Sequence, residues 1–300
     1  MITSTSNKQV KNVNKLRTKS KERRTQKLFV AEGIRMVLET PHDKLKQIFL
    51  SESFLSDSAN RRETEKYLGV SLDKLTEVEM ITLDCRAENI GTEKLGQQDE
   101  LAQRVAGTEI MAVSDEVMKQ MSDTVTPQGI LAVIRMPEYS LEDVLSGDDT
   151  HLLILENLQD PGNLGTMFRT AEGAGVSGLI LSRDTVDVFL PKVIRSTMGA
   201  IFRVPFLVSE DLHETLETVK SRGVKLYAAH LRGEKMYDAY DYTGKVGFLI
   251  GNEGNGLTDE TADQSDVYIR IPMGGKLESL NAAMAAGILM YEVNRQRRNK

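Results

Sequence analysis

Apolar residues fall into two different rhythms along the 300-residue chain. Beyond residue 150, short apolar runs recur at 152–155 (LLIL), 179–181 (LIL), 226–229 (LYAA), 247–250 (GFLI) and 267–271 (VYIRI). Short, near-continuous runs of this kind are the signature of strands buried on both faces. Between them the apolar period changes to that of a helix: Leu164, Met167, Phe168 and Ala171 fall at i, i+3, i+4 and i+7. The spacing predicts helices over 163–174, 191–200, 212–222 and 280–294. Strands that alternate with helices predict a parallel sheet covered on both faces. In such a sheet a ligand sits beyond the carboxyl ends of the strands. That rule directs attention to the loops after Leu155, Ile250 and Ile271.

The first half is less regular. Val10, Val13 and Leu16 recur at helical spacing among basic residues, 34–38 reads as helix, and 29–31 and 45–50 (LKQIFL) read as strands. The buried strand that stands out is 129–134 (GILAVI). From 56 to 111 the chain is highly charged with weak periodicity, and no element is predicted there. An acidic, turn-rich stretch then suggests a linker. The expected organisation is a small mixed α/β unit over 1–137, a linker over 138–150 and an α/β domain over 151–300. The length suits two domains.

Composition is that of a globular protein, with 40% hydrophobic and 27% charged residues. No apolar run is long enough to span a bilayer, the N-terminus has no apolar signal core, and a single cysteine, Cys85, forms no internal disulfide. A cytoplasmic location is expected. The net charge of −6 argues against a nucleic-acid partner until its distribution is considered. Lys8, Lys11, Lys15, Arg17, Lys19, Lys21, Arg23, Arg24 and Lys27 cluster at the start, opposed only by Glu22. A basic arm on an acidic body is the pattern of a segment that meets phosphates, although charge runs are more commonly solvated faces.

Three loops carry candidate chemistry. The first, 155–175 (LENLQDPGNLGTMFRTAEGAG), places Asp160 as an N-cap and Pro161 at the first helical position. Asn163, Thr166, Arg169 and Thr170 then fall opposite the apolar face, with Glu172 as a competing ion-pair partner for Arg169. Residues 173–178 match G-x-G-x-x-G, but a helix precedes them and a strand follows. The context is reversed, and nicotinamide dinucleotide binding is rejected. The second loop, 248–257 (FLIGNEGNGL), sets Glu253 between Gly251, Gly254 and Gly256 at a strand end, where glycine lets backbone groups approach a ligand. No G-K-[ST] follows, which disfavours nucleoside triphosphate cleavage. The third, 269–292, has a glycine turn, Ser279 placed as helix cap, and a stripe of Leu280, Ala283, Met284, Gly287, Ile288 and Tyr291 expected to face the core. The alanines at 282, 285 and 286 are left to pack on a neighbouring helix or a second subunit. The histidines show no metal-ligand spacing, and no metal is expected.

In this order and spacing, NLQDPGNLGTMFRTAEGAGV, LIGNEGNGL and IPMGGKLESLNAAMAAGILMYE resemble the three signature motifs of the SpoU (TrmH) family of RNA ribose methyltransferases, in the SPOUT superfamily. The basic start and LFVAEGIRMVLE resemble the ribosomal-protein-like substrate-binding domain that many members carry. The resemblance implies a C-terminal parallel-sheet domain with a deep trefoil knot, preceded by a smaller mixed α/β RNA-binding domain, and a homodimer. It implies S-adenosylmethionine as cofactor, held at Gly251, Ile271 and Leu280 with Ile250 and Met273 beside them. Asn163, Arg169, Glu253, Ser279 and Asn281 fall on the family's polar active-site positions. A protein guanidinium is a permanent cation and a fork of donors, which suits Arg169 to gripping a phosphate next to the reacting hydroxyl. Lys11, Arg17, Arg23, Arg24 and Arg35 are expected to attract RNA phosphates. The implied activity is methylation of a ribose 2′-hydroxyl, with large-subunit ribosomal RNA ahead of transfer RNA as target; a knotted RNA-binding protein without catalysis is the non-enzymatic alternative.

Overall fold

Five β-prone segments of the first half pair into one mixed sheet in the computed structural model, which describes residues 1–76, 80–82 and 107–299. Cys85 and residues 77–79 and 83–106 of the charged 56–111 stretch lie outside the described residues. The chain divides into two units, Met1–Pro137 with Phe189–Arg195, and Glu138–Val188 with Ser196–Lys300.

In the first unit the strands are β1 (Leu28–Glu32), β2 (Leu45–Ser51), β3 (Ile81–Thr82), β4 (Glu109–Val113) and β5 (Ile130–Arg135), in the order β1-β5-β2-β4-β3. Only β2 and β4 run parallel; the other pairs are antiparallel. Helix Lys8–Thr18 lays Val10, Val13 and Leu16 against Phe49, Val113, Leu131 and Val133, and all three are fully buried. The start of the chain is therefore not a loose arm. Ile2 bonds through its N–H to the Ala112 carbonyl at 2.8 Å and accepts the Ser114 N–H at 3.0 Å, which extends the sheet by one bridge. Helix Ser58–Leu68, unpredicted, buries only Thr64 and Leu68 on an otherwise polar surface. Within this unit the Phe189 ring lies 5.0 Å from that of Phe29, and Arg195 Nη2 bonds Asp123 at 2.8 Å.

The second unit holds seven parallel strands: β6 (His151–Leu155), β7 (Gly178–Ser182), β8 (Phe206–Ser209), β9 (Lys225–Ala229), β10 (Lys235–Met236), β11 (Val246–Ile250) and β12 (Val267–Arg270). Their order is β10-β12-β9-β11-β6-β7-β8, every pair parallel, as the alternating pattern predicts. The strand path reverses direction across the sheet at β6 and β11, the position at which an open α/β sheet opens a ligand crevice. The expected linker is instead structured. Ser140 and Asp143 form a reciprocal capping box, and Val144 is fully buried in the same core cluster as Leu152, Ile180 and Leu226. A Cβ at Gly178 would come within 2.7 Å of Val144 Cγ1, so the first residue of β7 must be glycine.

The C-terminal helix, Ala282–Arg298, packs on helix Pro161–Ala174. Asn294 Nδ2 donates to the Ala174 carbonyl at 3.3 Å, and a Cβ on Gly287 would sit 3.7 Å from Thr170 Cγ2. The buried face is Ala282, Ala283, Ala286, Leu289, Met290 and Val293. The expected core stripe is thus corrected: Met284 is 61% and Tyr291 50% exposed. The first part of the helix, 282–291, is apolar all round and gives no periodic sign of which face is covered.

Candidate active site at the carboxyl ends of two central strands

The chain leaves β6 at Leu155 and enters helix Pro161–Ala174 through Asp160, whose carboxylate caps the helix by accepting the Asn163 N–H at 2.8 Å, with Pro161 in the first turn. Above this start sits Glu253, carried by the glycine loop after β11. Its two oxygens accept the N–H of Gln159 at 3.0 Å, the N–H of Asp160 at 2.9 Å and Asn163 Nδ2 at 3.0 Å. Partial burial works to raise the Glu253 pKa, but the bonds from Asn163, Gln159 and Asp160 prevail and hold it below the ordinary carboxylate value. Glu253 is therefore an anion committed to holding the first loop, poorly suited to collecting a proton.

Asn163 passes the connection on. Its Oδ1 accepts Asn281 Nδ2 at 3.0 Å, while Asn281 Oδ1 accepts the N–H groups of Ala283 and Met284 at 2.9 and 3.3 Å. One hydrogen-bonded chain, Asn281–Asn163–Glu253, thus joins all three sequence motifs. It also corrects the expected cap: Asn281, not Ser279, caps the C-terminal helix. The asparagine is bound at both ends, whereas Ser279 is exposed two residues earlier.

Arg169 and Ser279 stand outside that chain. Arg169 lies six residues beyond Asn163, roughly 9 Å along the helix, and is exposed. Glu172, its expected competitor for an ion pair, is engaged by Arg203 at 2.5 and 3.1 Å. Among the described residues Arg169 pairs with no acid, which leaves its guanidinium available to an anion.

The loop after β11 closes tightly. Asn252 and Gly256 exchange two backbone bonds of 2.9 Å, and a Cβ on Gly251 would fall 2.0 Å from the Gly256 carbonyl carbon. Only glycine fits at 251. Ile250 and Leu257 are buried at the two feet of the loop, residues 253–256 are exposed, and Leu280 is 37% exposed after the third loop. An exposed glycine-rich backbone beside partly exposed Met273 and Leu280 suits a nucleoside with a flexible amino-acid tail. The donor set therefore fits S-adenosylmethionine.

Several further residues support the frame: Asn157, Gln159 and Asn252 lie within the first two motifs, and Ser182 lies outside them. Asn157 adopts the left-handed conformation (φ 54°), and its carbonyl accepts Asn252 Nδ2 at 2.8 Å and Gln159 Nε2 at 3.1 Å. Ser182 Oγ accepts the Asn157 N–H at 2.8 Å. The local signal for Asn157 and Gln159 is a polar run immediately after a buried strand; Ser182 closes the next strand.

The basic residues expected to meet phosphate divide. Lys11, Arg24 and Arg35 are exposed. Arg23 is 1% exposed, with Nη1 donating to the carbonyls of Leu16 and Arg17 at 2.7 and 3.1 Å, and is corrected to a core residue that caps the preceding helix. Arg17 is half-buried and donates to the Ser122 carbonyl, which makes it a tether within the domain. Among the described residues no group of three or more His, Cys, Asp or Glu could hold a metal ion, and no helix is long and apolar enough to cross a membrane. A depression of about 260 Å³ at the amino ends of the strands, lined by His151, Asn294 and Arg297 among others, contains none of the groups above.

Comparison with known proteins gives the family. Residues 150–291 match the SpoU rRNA Methylase family, residues 7–82 an MRM3-like substrate binding domain, and residues 86–140 the RNA 2′-O ribose methyltransferase substrate binding domain. The 23S rRNA (guanosine(2553)-2′-O)-methyltransferase RlmP of Bacillus subtilis is 35% identical over 187 residues, 62% of this chain and 73% of its own. The 23S rRNA (guanosine-2′-O-)-methyltransferase RlmB of Xylella fastidiosa is 34% identical over 200 residues, 65% of this chain and 80% of its own. The AdoMet-bound rRNA methyltransferase from Sinorhizobium meliloti superposes with a TM-score of 0.76 at 27% identity, covering 98% of this chain and 97% of its own. The chain belongs to the SpoU family, and is an RNA 2′-O-methyltransferase that uses S-adenosylmethionine.

Proposed function

We propose that this enzyme methylates a ribose 2′-hydroxyl of large-subunit ribosomal RNA, and that the pocket above β6 and β11 is where it does so. The observation that carries the reading is the Asn281–Asn163–Glu253 chain, which gathers three motifs onto the switch point of the sheet. Ribosomal RNA is favoured over transfer RNA because the names of RlmP and RlmB specify 23S rRNA.

In this reading the backbone of Gly251, Ile271 and Leu280, with Ile250 and Met273, holds the cofactor. S-adenosylmethionine supplies an electrophilic methyl group on a sulfonium. The protein's part is alignment of the sugar oxygen with that group, the kind of contribution that positioning makes best. Arg169 grips the neighbouring phosphate through its guanidinium fork and makes the hydroxyl more acidic. Glu253, fully engaged by three donors, orients the first loop, and the proton leaves to phosphate or water. Asn163 and Asn281 fix the same frame, and Ser279 meets the substrate from the third loop. The implied deep trefoil knot in the C-terminal part of the chain belongs to this proposal, as does a cytoplasmic location.

RNA is held first by exposed Lys11, Arg24 and Arg35 of the substrate-binding unit. Two copies join through a stripe of exposed Met284, half-buried Ile288 and exposed Tyr291, spaced at i, i+4 and i+7. The deciding experiment is labelled-methyl transfer to ribosomal RNA by the wild type and Arg169→Ala, with cofactor binding followed by calorimetry. The variant is expected to bind S-adenosylmethionine normally and to lose at least about a hundredfold in transfer. Near-normal turnover would remove Arg169 from the mechanism, and methylation confined to transfer RNA would overturn the target.

A further inference from the structure

The glycine loop 251–257 is held at both feet by a single residue of another motif. Glu156, immediately after β6, donates its backbone N–H to the Ile250 carbonyl at 2.9 Å, where the loop leaves the sheet. Its side chain reaches the other foot. One oxygen accepts the Thr258 N–H at 2.7 Å; the second accepts Thr258 Oγ1 at 2.7 Å and Thr261 Oγ1 at 2.5 Å. Glu156 is 6% exposed and Thr261 is fully buried. Thr258 Oγ1 in turn accepts the Thr261 N–H at 3.2 Å, capping helix Asp259–Asp263.

A buried acid surrounded by donors is costly to leave unmatched and rigid once matched. Here each donor to the side chain lies 102 or 105 residues away in sequence, and all sit at the exit of one loop. The entry of that loop is fixed by the same residue's backbone. Glu156 therefore sets the distance between Ile250 and Thr258, and with it the closure in which Asn252 and Gly256 exchange their bonds. Tight closure, with Asn252 Oδ1 accepting the N–H groups of Gly254 and Asn255, is what makes 251–256 a preformed surface.

We infer that Glu156 is a positioning residue for the cofactor: it touches neither donor nor RNA, and it keeps the glycine loop in its binding shape before the cofactor arrives. The inference rests on the proposal that this loop holds S-adenosylmethionine. A preformed loop pays no ordering entropy on binding, so loosening it weakens affinity more than it slows a saturated enzyme.

The test uses the full chain. Glu156→Met keeps the bulk and removes the acceptors; Glu156→Gln keeps an acceptor for the Thr258 N–H and lets the hydroxyls turn. By calorimetry, Glu156→Met is expected to raise the S-adenosylmethionine Kd about tenfold, the effect of losing one to two net hydrogen bonds. KM for the cofactor rises in parallel, kcat at saturation changes less than about threefold, and amide exchange across 251–258 accelerates in the free protein. Glu156→Gln recovers most of the affinity. Wild-type affinity and wild-type exchange in Glu156→Met would overturn the inference. Should that variant fail to fold, Thr261→Ala removes one donor alone and is expected to raise Kd about threefold; no change there also overturns it. The underlying reading is judged separately on the wild type: if added S-adenosylmethionine does not slow exchange of 251–257, the loop is not the cofactor site, whatever Glu156 does.

Discussion

Asn281 Nδ2 and Asn163 Oδ1 lie 3.0 Å apart across 118 positions of sequence, and each amide is also bound at its other end. Neither side chain can rotate without breaking two contacts. Asn281→Ala removes both a helix cap and the link to Asn163. The cap alone is worth about 1 kcal/mol. The expected result is a Tm lowered by about 2–4 °C, together with a fall in kcat/KM of at least about tenfold, because the third loop loses its register with the first. Asn281→Ser preserves the cap but not the link, and should restore the Tm while leaving most of the kinetic defect. Full kinetic recovery in Asn281→Ser would show that the link is incidental.

Arg23 and Arg24 are adjacent, yet opposite in role. Arg23 is buried against carbonyls of the preceding helix, so Arg23→Ala is expected to destabilise the protein by about 2–4 kcal/mol in denaturant titration, by leaving those carbonyls unsatisfied and opening space. Arg24 is exposed. Arg24→Gln should leave stability within about 0.5 kcal/mol and reduce the slope of log affinity for RNA against log salt by about one. Identical behaviour of the two variants in both assays would contradict the assignment.

His151 is buried at the start of β6, with both ring nitrogens lacking partners. Burial, helped by the Arg297 charge, pushes its pKa down from 6.5 to about 3. The unfolded chain therefore binds a proton between about pH 3 and 6.5 that the folded chain does not. Stability falls as pH drops through that window, by at most about 1.4 kcal/mol per pH unit from this group. Above pH 6.5 it contributes no slope. Urea titrations at intervals from pH 4 to 7 should show a shallower acid-side slope in His151→Leu than in the wild type. Parallel profiles would mean that His151 is protonated in the folded protein.

Met284 and Tyr291 leave more apolar surface in water than a helix of this composition needs to. If this stripe joins two copies, Met284→Asp with Tyr291→Asp is expected to shift the sedimentation coefficient to that of a monomer and to leave the thermal melt cooperative. A wild-type protein that sediments as a monomer at micromolar concentration would end the dimer proposal.

The parallel sheet was legible because strands covered on both faces have no polar alternation to blur them; β6, β7, β9 and β11 all read as plain apolar runs. β8 did not, since it lies at the sheet edge with Val208 43% exposed. Asp160 and Pro161 were legible as a helix start because a cap is a local device. Glu156 was not: nothing nearby in sequence announces that its donors sit beyond position 257. Arg23 was absorbed into a charge run, and only the fold separates a cation that faces water from one that faces carbonyls. The C-terminal helix misled for the converse reason, its first part, 282–291, being apolar on every side.

The docking of Ile2 on β4 and of Val10, Val13 and Leu16 in the core has a consequence for long-range attraction. Exposed Lys8, Lys11 and Lys15 share the outer side of that helix, at axial intervals of about 4.5 and 6 Å. Such intervals are comparable with the spacing of successive phosphates along a single strand. The positive charge is thus mounted on a rigid rail rather than spread through a fluctuating tail. A polyanion arriving there would register against fixed points, and the orientation it adopts would be decided before any base is read.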